Sequence, residues 1–129
     1  MYEFNHVHVK GPNPRKTADW YIKVFQAKVV REGLLFNAPL VALEVGGMRI
    51  NISGLKPNET LPEGNSRQSF GLEHFGLETD NIERDLKYLL SEGAELLGGP
   101  YQNEYNGATV AYIKAPDNVR IEILQLPAS

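Results

Sequence analysis

Two segments of this chain share one grammar. FNHVHVKGPNPRKTADWYIKVF near the start and LEHFGLETDNIERDLKYLL in the middle each read as a strand carrying a histidine, followed by an amphipathic helix. Each module then closes on a matching strand, GGMRINIS in the first and APDNVRIEILQ in the second. His6 and His74 therefore stand at equivalent points, and Asn51 and Glu122 form a second equivalent pair. The spacing is regular: His6 and His74 are 68 positions apart and Asn51 and Glu122 are 71, so the modules differ by about one short insertion. Such a repeat restricts the chain to two similar units in series, and two histidines with a carboxylate at matched points make a metal site the leading expectation.

In the first module, Tyr2 to Lys10 alternates, with Phe4, His6 and His8 on one face and Val7 and Val9 on the other. Asn13 is placed to cap a helix with Pro14 at its first position, where a missing N–H costs nothing. Ala18, Tyr21, Ile22 and Phe25 give that helix a core-facing stripe, and its end is expected near Gln26 or Ala27. Strands are expected over Lys28 to Leu34, Leu40 to Val45 and Met48 to Ser53, the last two joined by a Gly46-Gly47 hairpin turn. Gly54 to Ser69 is polar and rich in turn formers, a long connector that favours a functional or mobile loop.

The second module repeats the pattern. Gly71 to Thr79 reads as a strand, Asp80 with Glu83 as a capping box, and Ile82, Leu86, Leu89 and Leu90 as the helix's apolar face, with Gly93 at its C-terminal cap. Strands follow at Ala94 to Leu97, Ala108 to Lys114 and Val119 to Leu124, with GGPYQNEYNG as a second flexible stretch between the first two. The expected fold is α+β: one domain over 1–129, with a βαβββ module over 1–54, a connector over 55–69 and a second βαβββ module over 70–129. Two such modules can turn their helix-free sheet faces inward, forming an open eight-stranded, barrel-like cavity of the kind that takes a ligand.

Composition narrows the function classes. With 129 residues, 42% hydrophobic and 22% charged, the chain has ordinary globular composition. Its net charge of −3 and lack of a long basic run make nucleic acid a poor partner. No long apolar run and no signal-peptide pattern are evident, so a cytoplasmic location without membrane partners is the default expectation. There is no cysteine, so a metal would be held by nitrogen and oxygen ligands.

Strand parity decides which side chains enter the cavity. Val119, Ile121 and Ile123 would cover the helix, leaving Arg120, Glu122 and Leu124 on the other face. Glu122 lies between isoleucines, where a lone carboxylate is costly and a cation would compensate it. Arg49, Asn51 and Ser53 face inward by the same rule. Arg120 is the candidate for an anionic substrate group, and a surface role is equally compatible with it. Tyr101 and Tyr105 read as loop packing, Trp20 and Tyr21 as core, and Glu44 as surface.

At these residues the chain resembles a known family. His6 followed by the helix-borne Trp20-Tyr21 resembles the histidine-plus-FY opening of the vicinal oxygen chelate superfamily, and APDNVRIEIL resembles its closing motif. That superfamily includes glyoxalase I, extradiol dioxygenases, methylmalonyl-CoA epimerase, and fosfomycin- and bleomycin-resistance proteins. The resemblance covers essentially the whole chain and implies paired βαβββ modules, often in a homodimer, around a divalent metal in a U-shaped cavity. It implies His6, His74 and Glu122 as metal ligands. The fourth position, a glutamate in glyoxalase I, is Asn51 here. Asn51 cannot act as a carboxylate base, which argues against a true lactoylglutathione lyase and leaves it as a weak ligand or a substrate contact.

A two-histidine, one-carboxylate set suits iron(II), manganese or zinc, with nickel and cobalt also open. His8, on the same strand face as His6, is an alternative ligand, a second-layer group or a general base. Its counterpart Gly76 speaks against ligation. Two function classes follow. One is a metal-dependent lyase, isomerase or ring-cleaving dioxygenase that chelates adjacent oxygens of a small substrate; the other is a metal-free ligand-sequestering protein of the bleomycin-resistance type. A fosfomycin-type thiol transfer needs a basic oxyanion-binding cluster, and beyond Arg120 none is evident.

Overall fold

The computed structural model describes residues 1–128. These divide into two compact units, Met1–Glu63 and the unit beginning at Gly64, and each carries the βαβββ order expected. In the first, β1 (Val7–Lys10) leads into α1 (Pro14–Phe25), then β2 (Lys28–Leu35), β3 (Ala38–Val45) and β4 (Met48–Ser53). In the second, β5 (Phe75–Glu78) leads into α2 (Ile82–Ser91), then β6 (Glu95–Gln102), β7 (Thr109–Ala115) and β8 (Val119–Gln125). The strands make two separate four-stranded sheets, ordered β1-β4-β3-β2 and β5-β8-β7-β6. In each sheet the first strand pairs parallel to the last and the other pairs are antiparallel. The connector divides between the units at residues 63 and 64.

Local chemistry sets the helix ends. The Asn13 side chain accepts a hydrogen bond from the Lys16 amide at 3.1 Å, Pro14 opens α1, and Gln26 closes it in a left-handed conformation (φ 54°). For α2 the cap is Asn81, which accepts from the Arg84 amide at 3.0 Å. The expected Asp80 cap is therefore displaced by one residue. Asp80 instead receives the Arg84 guanidinium at 3.1 Å. Gly93 follows the Glu92 cap at φ 99°, a backbone state that glycine adopts readily.

Each helix covers one sheet face. Helix α1 packs on β3 and β4, and α2 on β7 and β8. Ala18 and Tyr21 of α1 with Leu43, Ile50 and Ile52 of its sheet belong to the first core, and Leu86 and Leu89 of α2 with Ile113, Ile121 and Ile123 to the second; all are buried. Burying one such Ile or Leu side chain contributes about 1.5–3 kcal/mol. The α1 stripe runs through Pro14, Thr17, Ala18, Tyr21 and Val24. Ile22 and Phe25 sit at its half-buried margin, where Phe25 joins Trp20 and Tyr21 in an aromatic cluster with ring separations of 5.2–5.8 Å. Likewise Leu90, expected on the α2 face, stays 37% exposed.

The ladders confirm the internal equivalence residue by residue. Val7 pairs with Ile50 and His8 with Asn51 in the first unit; Phe75 pairs with Ile121 and Gly76 with Glu122 in the second. His6 and His74 thus immediately precede equivalent strands, Asn51 corresponds to Glu122, and His8 corresponds to Gly76. The helix of each unit lies on the Ile50/Ile52 or Ile121/Ile123 face, so strand alternation puts Asn51 and Glu122 on the helix-free faces.

Candidate functional site

The polar constellation of the second unit grows from three adjacent strands. Glu122, on β8, pairs in register with Tyr112 on β7 and Gly76 on β5. His74, just before β5, brings its Nε2 to 3.1 Å from Glu122 Oε2 and stacks edge-on to the Tyr112 ring at 5.3 Å. Gly76 leaves room beside them: a Cβ there would first meet the end of Leu124 at 3.4 Å. Tyr112 donates a hydrogen bond to Glu122, and burial, then the Glu122 carboxylate, push the phenol above its ordinary range.

The other side of the imidazole faces Glu73. His74 Nδ1 is buried, has no hydrogen-bond partner among the described residues, and lies 3.4 Å from Glu73 Oε1. Glu73 is in turn 3.4 Å from Arg120 Nε. The Arg120 side chain, only 10% exposed, donates from Nη1 to the Ser66 carbonyl at 3.1 Å and lies over the Tyr112 ring at 4.6 Å. A chain of contacts therefore runs from Arg120 through Glu73 and His74 to Glu122.

The remaining predicted residues belong to the first unit. His6 is exposed, with Nδ1 sharing a hydrogen bond with Asn5 at 2.6 Å and its ring 6.5 Å from that of His8. His8 Nε2 shares a hydrogen bond of 2.7 Å with Ser53, whose residue is 1% exposed. Burial, then Lys10, then His6 hold the His8 imidazole below its ordinary range, which favours its neutral form at neutral pH. Asn51 is half-buried, between His8 on β1 and Ala42 on β3. Glu44 is half-buried and pairs in register with Lys28 and Arg49. Tyr101 and Tyr105 are exposed.

The donor set fits a divalent ion in type and in part in geometry. An imidazole nitrogen and a carboxylate oxygen converge from neighbouring strands. The opposite ring nitrogen faces a second carboxylate, the arrangement that orients histidine ligands in metalloproteins. Glu73 approaches the wrong side of the ring to serve as a third donor to the same ion. Among the described residues, neither unit by itself gathers three or more His, Cys, Asp or Glu in a metal-holding group.

A family model described as Glyoxalase/Bleomycin resistance protein/Dioxygenase superfamily matches residues 3–123. The chain belongs to this superfamily. Solved structures of similar fold include the glyoxalase family protein from Bacillus cereus, at TM-score 0.82 and 16% identity over 99% of this chain and 96% of that one. The glyoxalase family protein from Enterococcus faecalis aligns at TM-score 0.75 and 20% identity, over 95% and 96%. The genomically encoded fosfomycin resistance protein FosX from Listeria monocytogenes aligns at TM-score 0.74 and 12% identity, over 98% and 95%. At such identities these likenesses concern the fold alone. No curated protein matches the chain. No helix among the described residues is long and apolar enough to cross a membrane.

Within this glyoxalase-superfamily fold, sequence reasoning passed over Tyr112, Glu73 and Ser66. Tyr112 was recoverable: once β7 and β8 form a hairpin, register places it opposite Glu122. Glu73 adjoins His74 in sequence, but its position behind the ring depends on the turn before β5. Ser66 acts through its backbone carbonyl, which carries no side-chain signal.

Proposed function

We propose that the protein is a metal-dependent enzyme of the glyoxalase/dioxygenase type, acting on a small substrate with two adjacent oxygens. His74 and Glu122 would hold a divalent iron, manganese, zinc, nickel or cobalt ion, with His6 as the third ligand on the strength of its ladder equivalence to His74. A divalent ion so held supplies Lewis-acid stabilisation of charge developing on the substrate oxygens. The observation that carries this reading is the bracing of His74, with Glu73 behind Nδ1 and Glu122 before Nε2.

The chain's own residues then divide the remaining work. Arg120 holds Glu73, and Glu73 fixes the ring orientation of His74. Tyr112 fixes Glu122 by hydrogen bonding. Asn51 and Arg120 are the substrate-facing candidates. His8, biased toward neutrality, is the group able to accept a proton, a role closed to the neutral amide of Asn51. This division is a lyase, isomerase or dioxygenase scheme distinct from lactoylglutathione lyase. In solution a homodimer is the expected assembly.

A second reading, a metal-free ligand-sequestering protein, draws support from the direct 3.1 Å approach of His74 to Glu122, which partners both groups without an ion. Metal content separates the two. Protein purified without chelator should carry close to one divalent ion per chain, lost on chelation and in His74→Ala and Glu122→Ala. Undiminished metal in both variants rejects the site. Retention in His6→Ala with loss in His8→Ala transfers the third ligand to His8. Glu73→Gln should weaken metal binding by about 10- to 100-fold while leaving the ligand set intact.

A further inference from the structure

The first unit contains a groove that shares only His8 with the residues assigned to the proposed metal chemistry. It is open to solvent, offers about 440 Å³ and is lined by His8, Lys10, Leu35, Phe36, Ser53 and Lys56, a volume within the range of small-molecule sites. Its lining is divided by chemistry. Leu35 and Phe36 make an apolar wall, the ammonium groups of Lys10 and Lys56 make a cationic rim, and the hydrogen-bonded His8–Ser53 pair supplies polar groups.

The two lysines are not equivalent. Lys10 Nζ is 2.9 Å from Glu59 Oε1, and the same carboxylate oxygen accepts the Lys56 amide at 3.0 Å. Glu59 thereby offsets Lys10 and fixes the backbone from which the Lys56 side chain extends. The Lys56 ammonium lies 5.4 Å from the Phe36 ring centroid and has no ion pair among the described residues. The rim carries one surplus positive charge, set on an aromatic face.

The turn that carries Phe36 does not itself call for an aromatic residue. Phe36 occupies the first position of the two-residue β2–β3 turn, at φ 49° with Asn37 at φ 66°, and is 76% exposed. Such turns favour Asn, Asp and Gly. An exposed aromatic there has both the left-handed backbone and the hydration of its ring against it. A planar ligand lying on the ring would recover that apolar area.

We propose that this groove is a binding site for a small organic oxyanion, a carboxylate or phosphonate on a planar apolar body. The oxyanion meets Lys56 and the Ser53–His8 pair, and the body lies against Phe36 and Leu35. The inference rests on the first unit alone and holds with or without a metal ion, so its test is run in chelator and its failure leaves the metal reading untouched.

Benzoate and phenylphosphonate, with benzamide as the neutral analogue of benzoate, are titrated into ¹⁵N-labelled full-length protein containing EDTA, with calorimetry in parallel. Amide shifts should concentrate at His8, Phe36, Ser53 and Lys56. Benzamide should bind about tenfold or more weakly than benzoate, and Lys56→Gln and Phe36→Ala should each weaken benzoate about fivefold or more. Both substitutions lie outside the two cores, and an unchanged amide spectrum elsewhere verifies folding. Equal binding of benzamide and benzoate, unchanged affinity in both variants, or shifts confined to residues after Gly64 overturn the assignment.

Discussion

Tyr112 concentrates the electrostatics of the second unit in one hydroxyl. Its ring meets both the His74 imidazole and the Arg120 guanidinium, and its O–H donates to Glu122. Burial and the neighbouring carboxylates make its phenolate unfavourable, so the folded pKa lies above the ordinary value near 10. The folded state then holds this proton more tightly than the unfolded chain does. The stability it confers is complete below the unfolded pKa of about 10 and is lost as pH rises through the higher folded value. Tyr112→Phe should lose about 1 kcal/mol at neutral pH through the missing hydrogen bond to a charged acceptor, discounted for partial exposure. It should also flatten the alkaline fall in stability. Urea melts from pH 7 to 11 check both, and a wild-type slope retained in the variant would assign the alkaline loss elsewhere. His74 and Glu122 were legible in sequence through the repeat and strand parity, whereas Glu73 and Ser66 were not. Their places depend on turns and on a main-chain carbonyl, neither of which leaves a periodic trace.

At the scale of elements, the repeat carried further than the boundaries did. β1 and β5 are four residues each, shorter than Tyr2 to Lys10 and Gly71 to Thr79, because alternation extends beyond the residues that find a partner on β4 or β8. β6 runs the other way. Its Gly98-Gly99-Pro100 segment carries every sequence signal of a loop, yet Tyr101 pairs with Val110 and Gln102 with Thr109 after two register shifts. Half of the expected flexible stretch is therefore strand, tertiary pairing overriding local propensity. Gly99 shows what that pairing requires: at φ 90°, with a Cβ that would lie 2.6 Å from the Val110 carbonyl oxygen, it has no room for a side chain. Gly99→Ala should cost at least about 2 kcal/mol in chemical denaturation. Gly76→Ala, meeting only a flexible leucine end at 3.4 Å, should stay within about 0.5 kcal/mol. The α2 cap offers a finer comparison. Asn81→Ala should cost about 1 kcal/mol through its lost bond to the Arg84 amide, and Asp80→Ala, removing only a solvent-screened ion pair, should cost less. Equal losses would return the cap to Asp80.

At the scale of the molecule, two compact units carry unequal halves of one motif. The second holds a histidine braced against a carboxylate; the first places Asn51 where that carboxylate would stand and His8 where the second has Gly76. A duplicated chain that has diverged at these points no longer has two equivalent sites, and only Glu122 offers a charged ligand at the closing strand. This asymmetry makes metal linkage a measurement on the whole chain. An ion bound by the native state alone stabilises it by about 2.7 kcal/mol at a hundredfold excess over Kd, a rise in Tm on the order of 10 °C for a chain of this size. Manganese, iron(II), zinc, cobalt and nickel should each be tried against chelated protein, alone and with diol, hydroxyketone or catechol compounds. The enzyme reading expects a rise with metal and a further rise only when metal and oxygenated ligand are both present, since chelation needs both. Both increments should disappear in His74→Ala and Glu122→Ala. A rise with oxygenated ligand in EDTA, unchanged by metal, would establish the sequestering reading instead.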